Sequence, residues 1–220
     1  MNELKKIKGA IFDLDGVLVD TAKYHFLAWK KLADKLKINF TEKDNERLKG
    51  VSRTRSLEIL LEIGGITATL SQKEIWADEK NDLYVDSLKT LDEKALLEGS
   101  LEYLNKLKDE GILIALGSAS KNAPLILQQL KIENLFDAII DGNCVSKAKP
   151  DPEVFLKGAQ ALKLKPFECA VFEDSLAGIE AAKAAGMMAI AVGTKENLPG
   201  ADFYIKNLKE AEEKMLLLDD

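Results

Sequence analysis

The sequence predicts an α/β fold: a parallel sheet covered by helices on both faces, with an all-helical segment inserted after its first strand. Two patterns carry that expectation. From Gly99 onward, short apolar runs alternate with helical stretches, the signature of a parallel sheet buried on both sides. Residues 21–92 are instead charged and periodic at helical spacing, as a surface helix with one apolar face reads. The expected division is an α/β core domain from residues 1–20 and 93–220 and a helical cap domain from residues 21–92.

The elements follow in order. Ala10-Ile11-Phe12 is a short apolar run that stops at Asp13 and suits a buried strand. In the insert, Phe26, Trp29, Leu32, Ala33 and Leu36 share one helical face, and Leu57, Leu60 and Leu61 another. Gly64-Gly65 is a helix stop, and Ser71 followed by Glu74 is a capping-box start. Further strands are expected at Ile112–Leu116, Asp137–Ile140, Cys169–Phe172 and Met188–Val192. Helices are expected near Asn122–Leu130, Pro152–Leu162 and Leu176–Ala185.

Composition narrows the function classes. A hydrophobic content of 46% beside 31% charged residues over 220 residues excludes wholesale disorder and allows a sizeable core. A net charge of −6 argues against nucleic acid or an anionic membrane as partner, since both demand a basic face. Cys144 and Cys169 have neither metal-ligand spacing nor a disulfide framework, which points to the reducing cytoplasm. The longest apolar uncharged stretch, Ala184 to Thr194, is too short to span a bilayer. A monomer is the expected state.

Open α/β sheets bind ligands beyond the carboxyl ends of their strands, so those ends locate the chemistry. The first strand ends at Asp13-Leu14-Asp15-Gly16, the next at Gly117-Ser118-Ala119-Ser120, and a later one at Glu173-Asp174-Ser175, with Lys149-Pro150 in a loop between core elements. Carboxylates, a hydroxyl and an ammonium thus converge from separate strands. Asp13, Asp15, Glu173 and Asp174 brought together would repel one another, and a hard divalent cation such as Mg²⁺ resolves that repulsion through oxygen ligands. Two blander readings compete. Asp15-Gly16 between apolar runs also signals a hairpin, and Glu173-Asp174-Ser175 also suits a helix N-terminus.

The string Asp13-Leu14-Asp15-Gly16-Val17-Leu18-Val19-Asp20-Thr21 resembles the first motif of the haloacid dehalogenase superfamily of phosphotransferases, and Ser118, Lys149 and Glu173-Asp174 resemble the other three in the expected order. The likeness spans nearly the whole chain. It implies a Rossmann-like core with an inserted helical cap and Mg²⁺ at one ion per active site. It further implies Asp13 as the nucleophile that takes up a phosphoryl group and Asp15 as general acid and base. Asp13, the Asp15 main-chain carbonyl and Asp174 would hold the metal, with Glu173 as a further candidate, while Ser118 and Lys149 neutralise the transferring phosphoryl group. Lys149-Pro150 leaves either peptide isomer open.

Three longer strings, Asp20 to Phe26, Leu48 to Arg53 and Ser118 to Asn122, with the weaker Lys80-Asn81-Asp82, resemble the sugar-phosphate mutases of that superfamily. What they imply is interconversion of β-glucose 1-phosphate and glucose 6-phosphate through β-glucose 1,6-bisphosphate, with small sugar phosphates as partners. A bisphosphate needs a second anion site, for which Arg53 is the candidate because a guanidinium grips phosphate with two parallel hydrogen bonds. Ala119, Ser120, Lys121 and Asn122 lie where a helix start favours an anion. Lys49, Gly50 and Val51 form a turn whose main chain can approach a sugar. Lys80 is a further substrate contact. His25, the only histidine, is expected at Asp15 or the closing cap and not at the metal. Trp29 has core packing as its default and sugar contact as the alternative, and Phe12 and Phe172 read as core.

A sugar-phosphate phosphatase built on the same Asp13 chemistry is the main alternative, and Arg53 favours the mutase because a phosphatase has no general need of a second phosphate grip. A signalling receiver phosphorylated on aspartate is disfavoured by the insert. A dehalogenase proper is disfavoured by Lys149 and the acidic cluster.

Overall fold

A computed structural model describes residues 7–48 and 51–214 of the chain. Strand β1 (Gly9–Phe12) is followed by four helices, α1 (Ala22–Lys35), α2 (Glu42–Asn45), α3 (Arg53–Gly64) and α4 (Leu70–Leu88). Alternation then begins with α5 (Ser100–Asp109), β2 (Leu113–Gly117), α6 (Ala123–Gln129), β3 (Ala138–Ile140) and α7 (Glu153–Ala161). It continues through β4 (Cys169–Glu173), α8 (Leu176–Ala184), β5 (Met188–Val192), β6 (Phe203–Ile205) and α9 (Leu208–Glu213).

The strands pair in the order β3-β2-β1-β4-β5-β6, and every pairing is parallel. Period-two alternation sends successive side chains to opposite faces. Ala10 and Phe12 pack with Tyr103, Leu107, Ile126 and Leu208 on one face, whereas Ile11 packs with Phe155, Ile179 and Ala182 on the other. Phe12 and Phe172 stack with ring centroids 4.5 Å apart, so both are core residues as expected. The order reverses direction at β1, whose neighbours β2 and β4 lead the chain to opposite edges, and that reversal opens the crevice in which such sheets bind ligands.

The hairpin alternative for Asp15-Gly16 is excluded. Strand β1 pairs with β2 and β4 only, and Val19 meets Leu96 in an isolated antiparallel bridge. Strand β6 was not expected from the sequence. It is a three-residue edge strand, Phe203-Tyr204-Ile205, flanked by Asp202 and Lys206 and with Phe203 43% exposed, so its run is short and charge-bounded at the sheet's rim.

The insert has its own apolar cluster of Trp29, Leu32, Ala33, Ile38, Phe40, Leu57, Leu60 and Leu61. Helix α3 is capped by Ser52, whose hydroxyl accepts from the Arg55 N–H at 3.3 Å, and ends with Gly65 in the left-handed region, as the Gly64-Gly65 reading predicted. Helix α4 starts two residues before the expected site. Thr69 and Gln72 make the reciprocal capping box, not Ser71 and Glu74; both pairs fit the motif, and the upstream pair takes the free N–H groups first. Ala28, Tyr84 and Leu88 leave the insert's cluster and join the one on the sheet face. No helix among the described residues is long and apolar enough to cross a membrane.

Candidate active site

Asp13 directly follows β1 and stays on the sheet, its N–H donating to the Phe172 carbonyl at 3.0 Å. That register sets it beside Glu173, the last residue of β4. Between them lies Lys149, whose Nζ donates to Asp13 Oδ1 and to Glu173 Oε1, each at 2.6 Å. All three are buried. Burial works against the Lys149 ammonium, but the two carboxylates more than reverse this and hold it above the usual lysine range. Burial also pushes the Asp13 carboxyl up to about 7, against the pull of Lys149 and helped by Glu173 and Asp15. The Lys149-Pro150 peptide is cis.

Glu173 is fixed on both oxygens. Oε1 takes Lys149, and Oε2 accepts from the Ser175 N–H and hydroxyl, both at 2.8 Å. Ser175 also caps α8, its hydroxyl accepting from the Gly178 N–H at 3.1 Å. A Cβ at Gly178 would lie 1.9 Å from the Glu173 carboxylate, so that glycine makes the room. Glu173, expected among the metal ligands, is thus engaged on both oxygens by Lys149 and Ser175.

The Asp15-Gly16 turn closes with the Gly16 N–H on the Val19 carbonyl at 2.9 Å. Gly16 has φ +85°, and a Cβ there would lie 2.1 Å from Asp174 Oδ2. The Asp174 carboxylate therefore rests against the turn that carries Asp15. The Asp15 side chain points toward the insert, where the Thr21 hydroxyl donates to Oδ1 and His25 Nε2 stands 3.9 Å away. Burial raises the Asp15 pKa, partly offset by the Thr21 hydrogen bond.

No three His, Cys, Asp or Glu side chains among the described residues are gathered as a metal cluster. The expected four-carboxylate group is not formed, because Lys149 separates Asp13 from Glu173 and Asp15 turns to Thr21. A smaller donor set still suits a divalent cation: Asp13 at the strand tip, the Asp15 carbonyl in the turn, and Asp174 in the niche that Gly16 leaves. An Asp13 carboxyl held up to about 7 beside one buried ammonium is a site where added positive charge is favoured, and all-oxygen ligation is what Mg²⁺ takes.

On the insert side, His25 stacks on Tyr84 at 4.0 Å between centroids. Its Nδ1 lies 2.9 Å from Lys80 Nζ. Burial, then Lys80 and Arg53, hold His25 well below its ordinary pKa. Lys80 is 3% exposed and lies over the rings of Trp29 and Tyr84 at 4.8 and 4.7 Å. Burial and the Arg53 charge lower its pKa to about 7, against the pull of Asp15. Trp29 is 3% exposed within the insert's cluster, which bears out packing, with its ring face given to Lys80.

Ser118 sits at the end of β2, its N–H on the Ile140 carbonyl at 3.0 Å, and its hydroxyl accepts from the Ser120 N–H at 3.1 Å. Ala119 and Ser120 are half-buried, Lys121 is exposed, and half-buried Asn122 precedes α6. Arg53 opens α3, and its Nη2 donates to Asn81 Oδ1 at 2.7 Å. Asn122 Nδ2 donates to that same oxygen at 2.9 Å. The structure therefore brings Arg53 from the insert and Asn122 from the sheet's side to one point. Val51 packs its side chain against the insert's cluster. Lys49 and Gly50 lie outside the described residues.

Three residues of the site escape sequence reasoning: Thr21 on Asp15, Ser175 on Glu173, and Asn81 between Arg53 and Asn122. Thr21 and Asn81 lay inside strings already singled out, which was the available signal; Ser175 read only as a cap.

Comparisons with known proteins agree with this geometry. Residues 7–186 match a family model described as haloacid dehalogenase-like hydrolase. The chain is 44% identical over 212 residues to a β-phosphoglucomutase of Bacillus subtilis (strain 168), covering 96% of this chain and 94% of that one. It is 34% identical over 182 residues to a phosphorylated carbohydrates phosphatase of Thermotoga maritima, covering 82% of each. Among solved structures, a β-phosphoglucomutase from Clostridium difficile superposes with a TM-score of 0.88 at 38% identity, covering 96% of this chain and 99% of that one.

Proposed function

The chain belongs to the haloacid dehalogenase-like hydrolase family, and from that premise we propose that it is a β-phosphoglucomutase, interconverting β-glucose 1-phosphate and glucose 6-phosphate. One observation carries the reading. Two anion-competent clusters are joined through neighbouring residues of a single helix: Asp15 meets His25, which meets Lys80, and Asn81, next in the chain, holds Arg53 and Asn122. A site that only hydrolysed one phosphate would have no use for the second cluster.

The chemistry follows from the residues. Starting from the aspartyl phosphate on Asp13, the sugar 6-hydroxyl gives its proton to Asp15 and attacks phosphorus. The Asp13–phosphorus bond breaks and β-glucose 1,6-bisphosphate forms. After the bisphosphate exchanges ends, an Asp13 oxygen attacks the 1-phosphate, the bond to the sugar oxygen breaks, and Asp15 returns the proton. A raised Asp15 pKa favours the acid form needed in that second half. Lys149, locked by Glu173, and Ser118 hold the equatorial oxygens of the transferring group. Mg²⁺, on Asp13, the Asp15 carbonyl and Asp174, supplies charge neutralisation when bound. Arg53 and Asn122, with Ser120 and Lys121 nearby, grip the phosphate that is not being transferred, and His25 and Lys80 close the insert side over Asp15.

The test is a product assay with Mg²⁺, β-glucose 1-phosphate and a trace of the bisphosphate, run on both anomers. Glucose 6-phosphate from the β anomer is expected. Inorganic phosphate as the only product overturns the mutase reading in favour of the phosphatase activity named for the Thermotoga relative.

A further inference from the structure

We propose that Asn81 is a positioning residue for sugar-phosphate selection: its carboxamide oxygen gathers Arg53 and Asn122 into one anion grip before substrate arrives. The inference rests on the mutase reading for the identity of the anion, but its geometry stands by itself. Asn81 belongs to α4, Arg53 to α3, and Asn122 to the turn that precedes α6 on the sheet. Their only described meeting point is Asn81 Oδ1, at 2.7 Å from Arg53 Nη2 and 2.9 Å from Asn122 Nδ2.

Donor counting shows why one oxygen serves two groups without using them up. A guanidinium carries five N–H donors and a carboxamide two. One bond to Asn81 leaves four on Arg53 and one on Asn122 for an oxyanion. The acceptor is also neutral, so the Arg53 charge stays available. Two carboxylates of α4, Asp78 and Asp82, act on that guanidinium; Asp78 stands at 4.0 Å with its side chain 80% exposed, where water screens it. Holding both donors in place in advance reduces the ordering that the sugar phosphate must otherwise impose. Asparagine therefore suits this position better than an aspartate, which would bind Arg53 tightly and repel the phosphate.

The experiment compares wild type, N81A and N81D with two phosphoryl donors in the presence of Mg²⁺. β-Glucose 1-phosphate, with trace bisphosphate, needs the grip. Acetyl phosphate, which phosphorylates Asp13 and has no second phosphate, does not. For N81A the KM of the sugar phosphate is expected to rise about tenfold to a hundredfold, as the loss of hydrogen bonds to a charged group implies. That rise is expected to exceed any change in the acetyl phosphate KM by at least about fivefold. N81D is expected to raise the sugar phosphate KM further still, although its thermal midpoint matches or exceeds that of N81A because it retains an Arg53 partner. Parallel changes with both donors, or an N81D KM below that of N81A, would reduce Asn81 to packing and overturn the proposal. Wild type yielding only free phosphate would overturn the mutase reading instead, and the ratio of the two KM values would still report on Asn81.

Discussion

The floor of the site and the grip above it are built on opposite plans. Asp13, Lys149 and Glu173 are buried, join three segments of the sheet region, and are fixed by charge-assisted bonds of 2.6 Å. Arg53, Asn81 and Asn122 are half-buried, come from the insert and the sheet side, and share one neutral oxygen. A rigid floor suits a transfer whose catalysis is mostly positioning and charge. A grip assembled across two parts of the molecule suits a ligand that must leave, turn and rebind. The comparison teaches that damage to the floor should abolish chemistry, whereas damage to the grip should alter which substrates are used well.

The largest expected effect is Asp13→Ala, which should eliminate covalent phosphate on the protein; phosphate still detected by mass spectrometry after incubation with acetyl phosphate would break the assignment. Next, Asp15→Asn should slow turnover by about 10²–10⁴-fold with an unchanged far-ultraviolet spectrum. Arg53→Ala should lower kcat/KM for β-glucose 1-phosphate by roughly 10–100-fold and affect hydrolysis of a simple aryl phosphate much less. Equal losses would erase the distinction between floor and grip.

The smallest effect is on stability and sharpens the insert side. Folded Lys80 titrates near pH 7, below the 10.5 of a free lysine. Between those values the unfolded chain binds a proton that the folded chain lacks, so this residue makes stability rise with pH, by at most about 1.4 kcal/mol per pH unit. Below pH 7 its full penalty is present. Lys80→Met should flatten the difference in urea midpoint between pH 7.5 and 9.5 in metal-free buffer. A variant as steep as wild type would show that the buried ammonium is already compensated.

Much of this was legible beforehand, for identifiable reasons. Four of the five strands read from the sequence, β1, β2, β4 and β5, lie inside the sheet and are continuous apolar runs, while the half-buried edge strand β3 was read from a shorter one. The strand ends lie on one rim because parallel strands share a direction. The other edge strand, Phe203–Ile205, is a three-residue run between Asp202 and Lys206 and was not expected. Asp13, Lys149 and Glu173 were read as a group, but the lysine's place between the two carboxylates is a tertiary fact. That Glu173 is bonded to Lys149 and Ser175 was not legible, because Ser175 reads only as a helix cap. Asn81 is an ordinary helical asparagine until α4 is set against Arg53 and Asn122.

Helix α4 has the geometry of a lever. Its end near Leu88 and Tyr84 is embedded in the sheet's apolar cluster, whereas its other end begins at Leu70 in the insert. At 1.5 Å per residue, Asn81 lies about 10 Å and Leu70 about 27 Å from Leu88. A tilt of about 10° about that embedded end would carry Leu70 some 5 Å and Asn81 about 2 Å, by the same helical rise. Two ångströms suffice to part the hydrogen bond from Asn122 on the sheet's side, while Arg53, in the same insert as Asn81, would travel with it. A motion almost imperceptible at its fulcrum would therefore switch the grip on and off.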